Sequence, residues 1–389
     1  MEEWKKYKMS DFIDFNPTVS LKKGTVARKI TMDKLIPHSR DIYDWEYEPY
    51  SGGTKFQNGD TIMARITPCL ENGKHAFISL LNDGETAYGS TEFIVMRGIP
   101  GISDNRFVYY LSHFPDFKNA AVKSMVGSSG RQRAQVDVIK NLEFYLPGLV
   151  EQRKIADTLS ALDDKIALNN RINHNLEEQA QALYKSWFVD FEPFRKGRFI
   201  ESELGLIPEG WQVKNLLEIS RIFDSKRRPL SGKEREQMSK IYPYYGATSI
   251  MDYVDSYIFD GIYLLMGEDG SVMTEEGYPF LQYITGKFWP NNHAHVLQGD
   301  NGFSTEMLHC ALLRKVIKSS VTGAVQAKIS QANMKKILFP CPPSLELKAF
   351  DSQLQTIYCQ KRNIEAQNSD LAMLRDSLLP VLIVGKLNC

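Results

Sequence analysis

Two stretches of this chain carry residue types suited to contact with a charged backbone and with base edges. The first is the loop Gly127-Ser128-Ser129-Gly130-Arg131-Gln132-Arg133, which is flexible, basic and has little to bury. Residues of the same kind precede it: Arg65, Thr67, Lys74, Ser90 and Thr91. The second set is Lys226, Arg227, Arg228, Ser271, Lys287, Asn291, Asn292, His293, Gln326 and Lys328. Lysine and arginine neutralise phosphates and position a protein on a duplex. Arginine, lysine, asparagine and glutamine can also read base edges. Any one surface Lys or Arg can be mere solvation; clustering on Ser/Gly-rich loops in both halves argues for contact.

Groups for catalysis are harder to find. An adenine methyltransferase needs an N/D-P-P-Y/F string and a glycine-rich turn, and Asn16-Pro17-Thr18-Val19 and Gln57-Asn58-Gly59-Asp60 are neither. An ATP-driven translocase needs G-x-x-x-x-G-K-[ST]; Gly84-Glu85-Thr86-Ala87-Tyr88-Gly89-Ser90 lacks the lysine. His293 and His295, two apart on a strand, could hold a metal from one face. No third ligand stands at a convincing spacing, so no metal is assigned. Glu268-Asp269 could be an acidic pair, but a solvated loop turning at Gly270 is the expectation. Tyr242, Tyr244 and Tyr245 read as core in preference to groove wall. No catalytic residue is assigned.

The elements that must position these loops are written twice. Asn141-Leu142…Pro147 answers Lys336-Ile337…Pro342 at a fixed offset, from Pro147 to Pro342. That offset holds for about 40 residues: Glu151 falls on Glu346, Leu159 on Leu354, Leu176 on Leu371, Leu183 on Leu378 and Val189 on Val384. Residues 1–148 are rich in short apolar runs punctuated by Gly, Asn and Asp, a strand-and-turn pattern with some helix near 104–124. Residues 149–197 form a helical segment with a seam of Ile155, Leu159, Leu162, Ile166, Asn169, Asn173, Leu176, Ala180, Leu183 and Trp187. Pro193 lies past its end. Residues 198–343 return to the strand pattern, and Ile207-Pro208-Glu209-Gly210-Trp211 restarts it much as Trp4-Lys5-Lys6 begins the chain. Residues 344–389 repeat the seam with Phe350, Leu354, Ile357, Lys361, Ile364, Asn368, Leu371, Arg375, Leu378 and Leu382.

A helix apolar along one edge needs a cover. The economical cover is the other helix, in an antiparallel pair whose interface is Ile155, Leu159, Leu162, Ile166, Leu176 and Leu183 against Phe350, Leu354, Ile357, Ile364, Leu371 and Leu378. Polar residues in its middle would fix register at a cost in stability. Packing of each helix on its own preceding domain, or on a second copy, are the alternatives. The fold expected is α+β: two similar α/β domains separated by two long helices packed as an antiparallel coiled coil, with pseudo-twofold symmetry.

Bulk composition narrows the class. The 389 residues imply two or more domains, at roughly 150 residues each. Lys+Arg and Asp+Glu are 47 each, so a nucleic-acid partner would be met by local patches and not by a global field. The five cysteines form no C-x-x-C, which fits a reducing compartment and neither a zinc cluster nor a disulfide framework. No signal peptide or membrane span is read, and a cytoplasmic location is expected.

Several strings resemble the specificity subunits of type I restriction–modification systems. Gly59-Asp60-Thr61-Ile62-Met63-Ala64-Arg65-Ile66-Thr67-Pro68-Cys69-Leu70-Glu71-Asn72-Gly73-Lys74 is similar to the central string of one class of target recognition domain in that family. Leu149-Val150-Glu151-Gln152-Arg153-Lys154-Ile155-Ala156 resembles the start of its spacer helix, and Leu183 through Phe191 the end. Gly267-Glu268-Asp269-Gly270-Ser271, Pro290-Asn291-Asn292-His293-Ala294-His295-Val296 and Thr322-Gly323-Ala324-Val325-Gln326 look like another class of recognition domain. One departure stands out: Ser344-Leu345-Glu346-Leu347-Lys348-Ala349-Phe350 lacks the fuller motif that starts the first helix.

The resemblance implies a non-catalytic, sequence-specific subunit that binds double-stranded DNA, each recognition domain reading one half of a bipartite target while the helices fix the gap. It implies as partners two methyltransferase subunits, docked partly on the helices and carrying S-adenosylmethionine. It also implies restriction/motor subunits that use ATP and Mg. No cofactor is expected on this chain itself. The rival classes are an enzyme whose motif escapes this reading and a coiled-coil scaffold with no DNA role. Loss of activity of the isolated chain on mutating an acidic or His site would favour the first. Indifference to Arg131→Ala with Arg133→Ala would favour the second.

Overall fold

Two helices of 40 residues, Leu149–Phe188 and Ser344–Ile383, dominate the chain. At 1.5 Å per residue each is about 60 Å long. The computed structural model describes residues 4–128, 130–323 and 326–385. Packing groups them into two compact units, 1–171 with 365–389, and 172–364. The cut falls inside both long helices, so each unit holds half of each helix together with one β-rich block. The four-block division therefore describes the chain order; packing merges each recognition block with helix halves.

In the first unit, strands Ile13–Phe15, Phe93–Gly98, Thr61–Ala64 and His75–Phe77 form one antiparallel sheet, in that order. Thr61–Ala64 is buried on both faces, as its unbroken run suggests. A second sheet orders Glu46–Pro49, Val26–Ile30, Ala87–Gly89 and Thr54–Phe56. Helices Asn105–His113 and Pro115–Lys123 fall where helix is expected near 104–124, and the Asp104 carboxylate caps the first by accepting from the Arg106 and Phe107 N–H groups. Ile155, Ala156 and Leu159 of one long helix and Leu379, Leu382 and Ile383 of the other enter one core with Phe12, Met96, Phe107 and Tyr110.

The second unit has a six-stranded sheet in the order Ser220–Ile222, Ala294–Gly299, Phe259–Gly267, Leu281–Pro290, Tyr242–Tyr245, Ile250–Val254. Ala180, Phe188, Phe350, Leu354 and Tyr358 of the long helices join Trp211, Leu264, Leu308 and Phe339 in its main core. Phe350 stands edge-on to Phe188, 4.7 Å between ring centres. Tyr244 is buried and Tyr242 and Tyr245 half-buried, in line with a core reading.

The internal repeat is visible within each unit. Lys5–Lys8 pairs antiparallel with Glu143–Leu146, and Gln212–Asn215 with Leu338–Cys341. The two closing strands are related by the offset of the repeat, and a long helix follows each. The helix start differs, as its sequence does. Gln152 is fully buried: its Oε1 accepts from Asp104 N (2.9 Å), and its Nε2 donates to Ile102 O (3.0 Å) and Pro147 O (2.9 Å). Its counterpart in the second half is the buried Leu347.

Both accounts of the helix seam hold. Near the helix ends, seam residues pack into the domain cores as well as toward the other helix. In the first unit Arg375 Nη1 donates to Asp163 Oδ1 at 2.6 Å, and Asn169 and Asn170 hydrogen-bond Asn368 at 2.8 Å. In the second, Lys361 Nζ lies 2.9 Å from Glu177 Oε1. Numbering rises along one helix and falls along the other, so the pairing in each unit is antiparallel. Leu176 is buried, whereas Leu162, Ile166, Leu183, Ile357, Ile364, Leu371 and Leu378 are half-buried. Polar and ionic groups occupy the middle of the interface, as the polar seam positions suggest, and the acids Asp163 and Glu177 that complete the ion pairs lie outside the apolar seam pattern.

Candidate nucleic-acid interface

In the first unit three segments converge beyond strand Thr61–Ala64. Arg65 N donates to Glu92 O (2.9 Å), Thr67 N to Gln132 O (3.0 Å) and Ala134 N to Arg65 O (2.8 Å). Ile66 and Val126 both bridge to Arg133. The loop between Val126 and Arg133 depends on Gly127, at φ +138°, where a Cβ would come within 2.9 Å of Arg131 O. Backbone bonds thus hold this surface feature in place with little side-chain burial.

On that frame the Arg133 guanidinium forks onto Glu92, with Nη2 to Oε1 at 2.7 Å and Nε to Oε2 at 3.0 Å. The hydrogen bond and charge of Glu92 raise the Arg133 pKa further. Thr91, Ser128 and Arg131 are exposed. Arg65 is half-buried, with a buried Nε that has no acceptor among the described residues. Thr67 Oγ1 donates to Glu71 (2.8 Å), Lys74 Nζ to Met32 O (2.9 Å), and Ser90 Oγ accepts from Glu92 N (3.1 Å). Those three side chains therefore brace the loops internally. Ser129 lies outside the described residues.

The second unit repeats the frame. Glu268 N donates to His293 O (2.8 Å), Gly270 N to Ala327 O (2.9 Å) and Ile329 N to Glu268 O (2.9 Å). Asp269 and Thr322 both bridge to Lys328. Gln132, Arg133 and Ala134 correspond to Ala327, Lys328 and Ile329 at the offset of the repeat. The side chains are permuted: Glu268 stands where the first frame has Arg65, and His293 where it has Glu92. Lys226, Arg228, Ser271, Asn292, His293, Gln326 and Lys328 are exposed around it. Lys226 lies over the Phe223 ring, and Lys287 over Tyr257 and Tyr242. Ala324 and Val325 lie outside the described residues.

Three expectations are corrected here. Arg227 is only 12% exposed; Nη1 donates to Glu268 Oε2 (2.6 Å) and Ala294 O (2.7 Å), so it is committed internally. Asn291 is buried, and its Oδ1 accepts from His293 N, making it a turn residue. Glu268 is no solvated loop residue: Asp224, Glu268 and His295 bring their ligand atoms within 4.8 Å of one another. The histidine thus does have acidic neighbours, but Asp224 comes from a segment too distant in sequence for spacing to reveal. His295 Nδ1 lies 2.6 Å from Asp224 Oδ2 and Nε2 2.9 Å from Ile329 O. Burial alone would raise the Asp224 carboxyl; bonds from His295, Val296 N and Gln331 outweigh it and hold it below its usual range. With Arg227 bonded to Glu268 and 3.6 Å from Asp224, the cluster acts as an ion-pair hub that ties four segments together.

Sequence reasoning missed Glu92 and Asp224, the carboxylates that hold these frames. Glu92 adjoins the Ser90-Thr91 pair already singled out; Asp224 is two residues before Lys226. No helix among the described residues is long and apolar enough to cross a membrane.

The match to the type I restriction modification DNA specificity domain spans residues 1–178 and 208–367. The chain is 29% identical to the type I restriction enzyme MjaIX specificity subunit of Methanocaldococcus jannaschii, over 90% of this chain and 85% of that protein. It is 22% identical to the HindI specificity subunit of Haemophilus influenzae, over the whole of both. A crystal structure of the S subunit of a type I restriction–modification system from M. genitalium shares the fold, with a TM-score of 0.51 at 17% identity, covering 98% of this chain and 96% of that one.

Proposed function

This chain belongs to the type I restriction–modification DNA specificity family, and from that premise we propose that each of its two β-rich domains reads one half of a split target in double-stranded DNA. The chain is the specificity subunit, and catalysis falls to other chains. The observation that carries the reading is the repeated three-bond loop frame, which holds Lys328 in one domain and the segment next to Arg131 in the other, with Arg131, Lys328, Lys226 and Arg228 all exposed. Lys and Arg of this kind neutralise phosphates, while Ser, Asn, Gln and His beside them suit base edges.

The recognition blocks are 1–148 and 198–343, with spacers 149–197 and 344–389. The helices act as a ruler: a rod of about 60 Å exceeds one duplex turn of roughly 34 Å. Two methyltransferase subunits dock on the helices and bring S-adenosylmethionine; restriction/motor subunits bring ATP and Mg. This chain holds no cofactor, works in the cytoplasm and has no membrane partner.

The test is selection from a randomised duplex pool by this chain together with a type I methyltransferase subunit. A split motif with a constant gap is expected. A continuous motif, or none, would overturn paired reading.

A further inference from the structure

The helix pair carries its charges in a pattern that selects the partner as well as the register. On the first long helix two acids, Asp163 and Glu177, stand one heptad either side of Asn170. On the second, two bases, Arg375 and Lys361, stand one heptad either side of Asn368. Asn368 Nδ2 donates to Asn170 Oδ1 at 2.8 Å, and Asn169 Nδ2 donates to Asn368 Oδ1 at 2.8 Å. The flanking pairs are Asp163–Arg375 in the first unit, at 2.6 Å, and Glu177–Lys361 in the second, at 2.9 Å.

We propose that these four charges form a pairing code by which each long helix accepts the other and rejects its own copy. Asparagine at the centre cannot make that distinction, because Asn–Asn bonding is available to a like-with-like pair too. The charges can. An antiparallel pair of two first helices centred on Asn170 would set Asp163 against Glu177. A pair of two second helices centred on Asn368 would set Lys361 against Arg375. Both put like charges opposite one another along the seam, where repulsion is less screened than on an open surface. Asp163 and Arg375 are 4% and 10% exposed, Lys361 is 12% exposed and Glu177 38% exposed, so the code is driest at the Asp163–Arg375 pair and partly wet at the Glu177–Lys361 pair. Selection by a built-in repulsive element is a general way to set specificity. The code excludes like-with-like association of copies, and it leaves reciprocal exchange between two chains charge-matched.

Asp163 also accepts from the Tyr110 hydroxyl at 2.6 Å, and Arg375 Nη1 reaches His38 O at 3.3 Å. Reversal there disturbs more than one bond, so the test includes the milder pair as well. Full-length chains carry Asp163→Lys with Glu177→Lys (all four positions basic) or Lys361→Glu with Arg375→Glu (all four acidic). Each alone is expected to lose its monomer peak in size-exclusion chromatography with light scattering and to melt below wild type. Co-expressed, the two should form a one-to-one complex. Glu177→Lys combined with Lys361→Glu in one chain should restore the monomer that either single change weakens. Monomers of wild-type melting temperature from both double variants would overturn the code. So would failure of both the co-expressed complex and the single-chain swap. None of these readouts depends on DNA.

Discussion

Arg133 and Lys328 are counterparts in the internal repeat and occupy the same place in two hydrogen-bonded loop frames. Each is the residue to which two neighbouring segments bridge: Ile66 and Val126 for one, Asp269 and Thr322 for the other. Each also meets a carboxylate, Glu92 at 2.7 Å and Glu268 at 3.8 Å. Because each frame is built within its own domain, changes in one should be read out in one half-site. Arg131→Ala, at an exposed position, should alter or weaken one half of the selected motif and leave the other intact. Sequencing of bound duplexes checks this; changes in both halves would sink the modular reading.

Glu92→Gln frees the Arg133 guanidinium from its bidentate partner while keeping the shape of the loop. A carboxylate here repels phosphates, and its removal adds one net positive charge. Binding to unrelated DNA should strengthen, and the salt dependence of that binding should steepen by up to about one unit of slope. Fluorescence anisotropy across a salt series measures both. An unchanged slope would mean that Arg133 and Glu92 lie off the DNA path.

The repeat, the two helices and their seam were legible because they are local patterns at fixed period. The structure carries the offset back past the segment where the sequence shows it: Gln132, Arg133 and Ala134 land on Ala327, Lys328 and Ile329 in the loop frames. What stayed hidden was contact between distant segments. Nothing in the spacing of His293 and His295 leads to Asp224, and nothing near Arg227 says that it turns inward to Glu268. Asp163 was missed in the seam because an apolar pattern has no place for it; its meaning appears only opposite Arg375. Asn291 looked like a polar loop residue, and burial made it a turn.

Acid should destabilise both units early. Burial holds His75 and His309 neutral, with values pushed down to about 3, and depresses His113 and His38 as well. In the unfolded chain histidine titrates near 6.5. The unfolded state therefore binds more protons below that pH. The stability these groups contribute is complete above about 6.5 and is lost as pH falls from there toward 3. Urea midpoints should drop between pH 7 and pH 5, before most carboxylates titrate. His75→Gln and His309→Gln should flatten that slope even if they lower the midpoint at pH 7.

Gln152→Leu copies into the first half what the second half has at Leu347. In the first unit it would leave Asp104 N–H, Ile102 O and Pro147 O without the partner they share. An unsatisfied buried group costs roughly 1–3 kcal/mol; of the three bonds only the one to Pro147 O is buried, so a loss of about 1–3 kcal/mol is expected. Denaturant unfolding followed by hydrogen exchange should assign the loss to the first unit. A neutral outcome would mean that the apolar start serves both helices equally.

The ruler idea makes the sharpest demand on the helices. Seven residues inserted after Arg171 lengthen the first helix by about 10 Å and keep its heptad phase. Asp163 can still meet Arg375 and Asn169 can still meet Asn368, but Glu177 is carried one heptad past Lys361. The single insertion should therefore change the gap in the selected motif or abolish assembly. A matching insertion after Ala366 brings Glu177 and Lys361 back into register. The doubly lengthened chain should then assemble again, with a gap longer by about three base pairs at roughly 3.4 Å each. Selection sequencing with the single and double insertions decides it: an unchanged gap in a chain that assembles would refute the helices as the measure of half-site spacing.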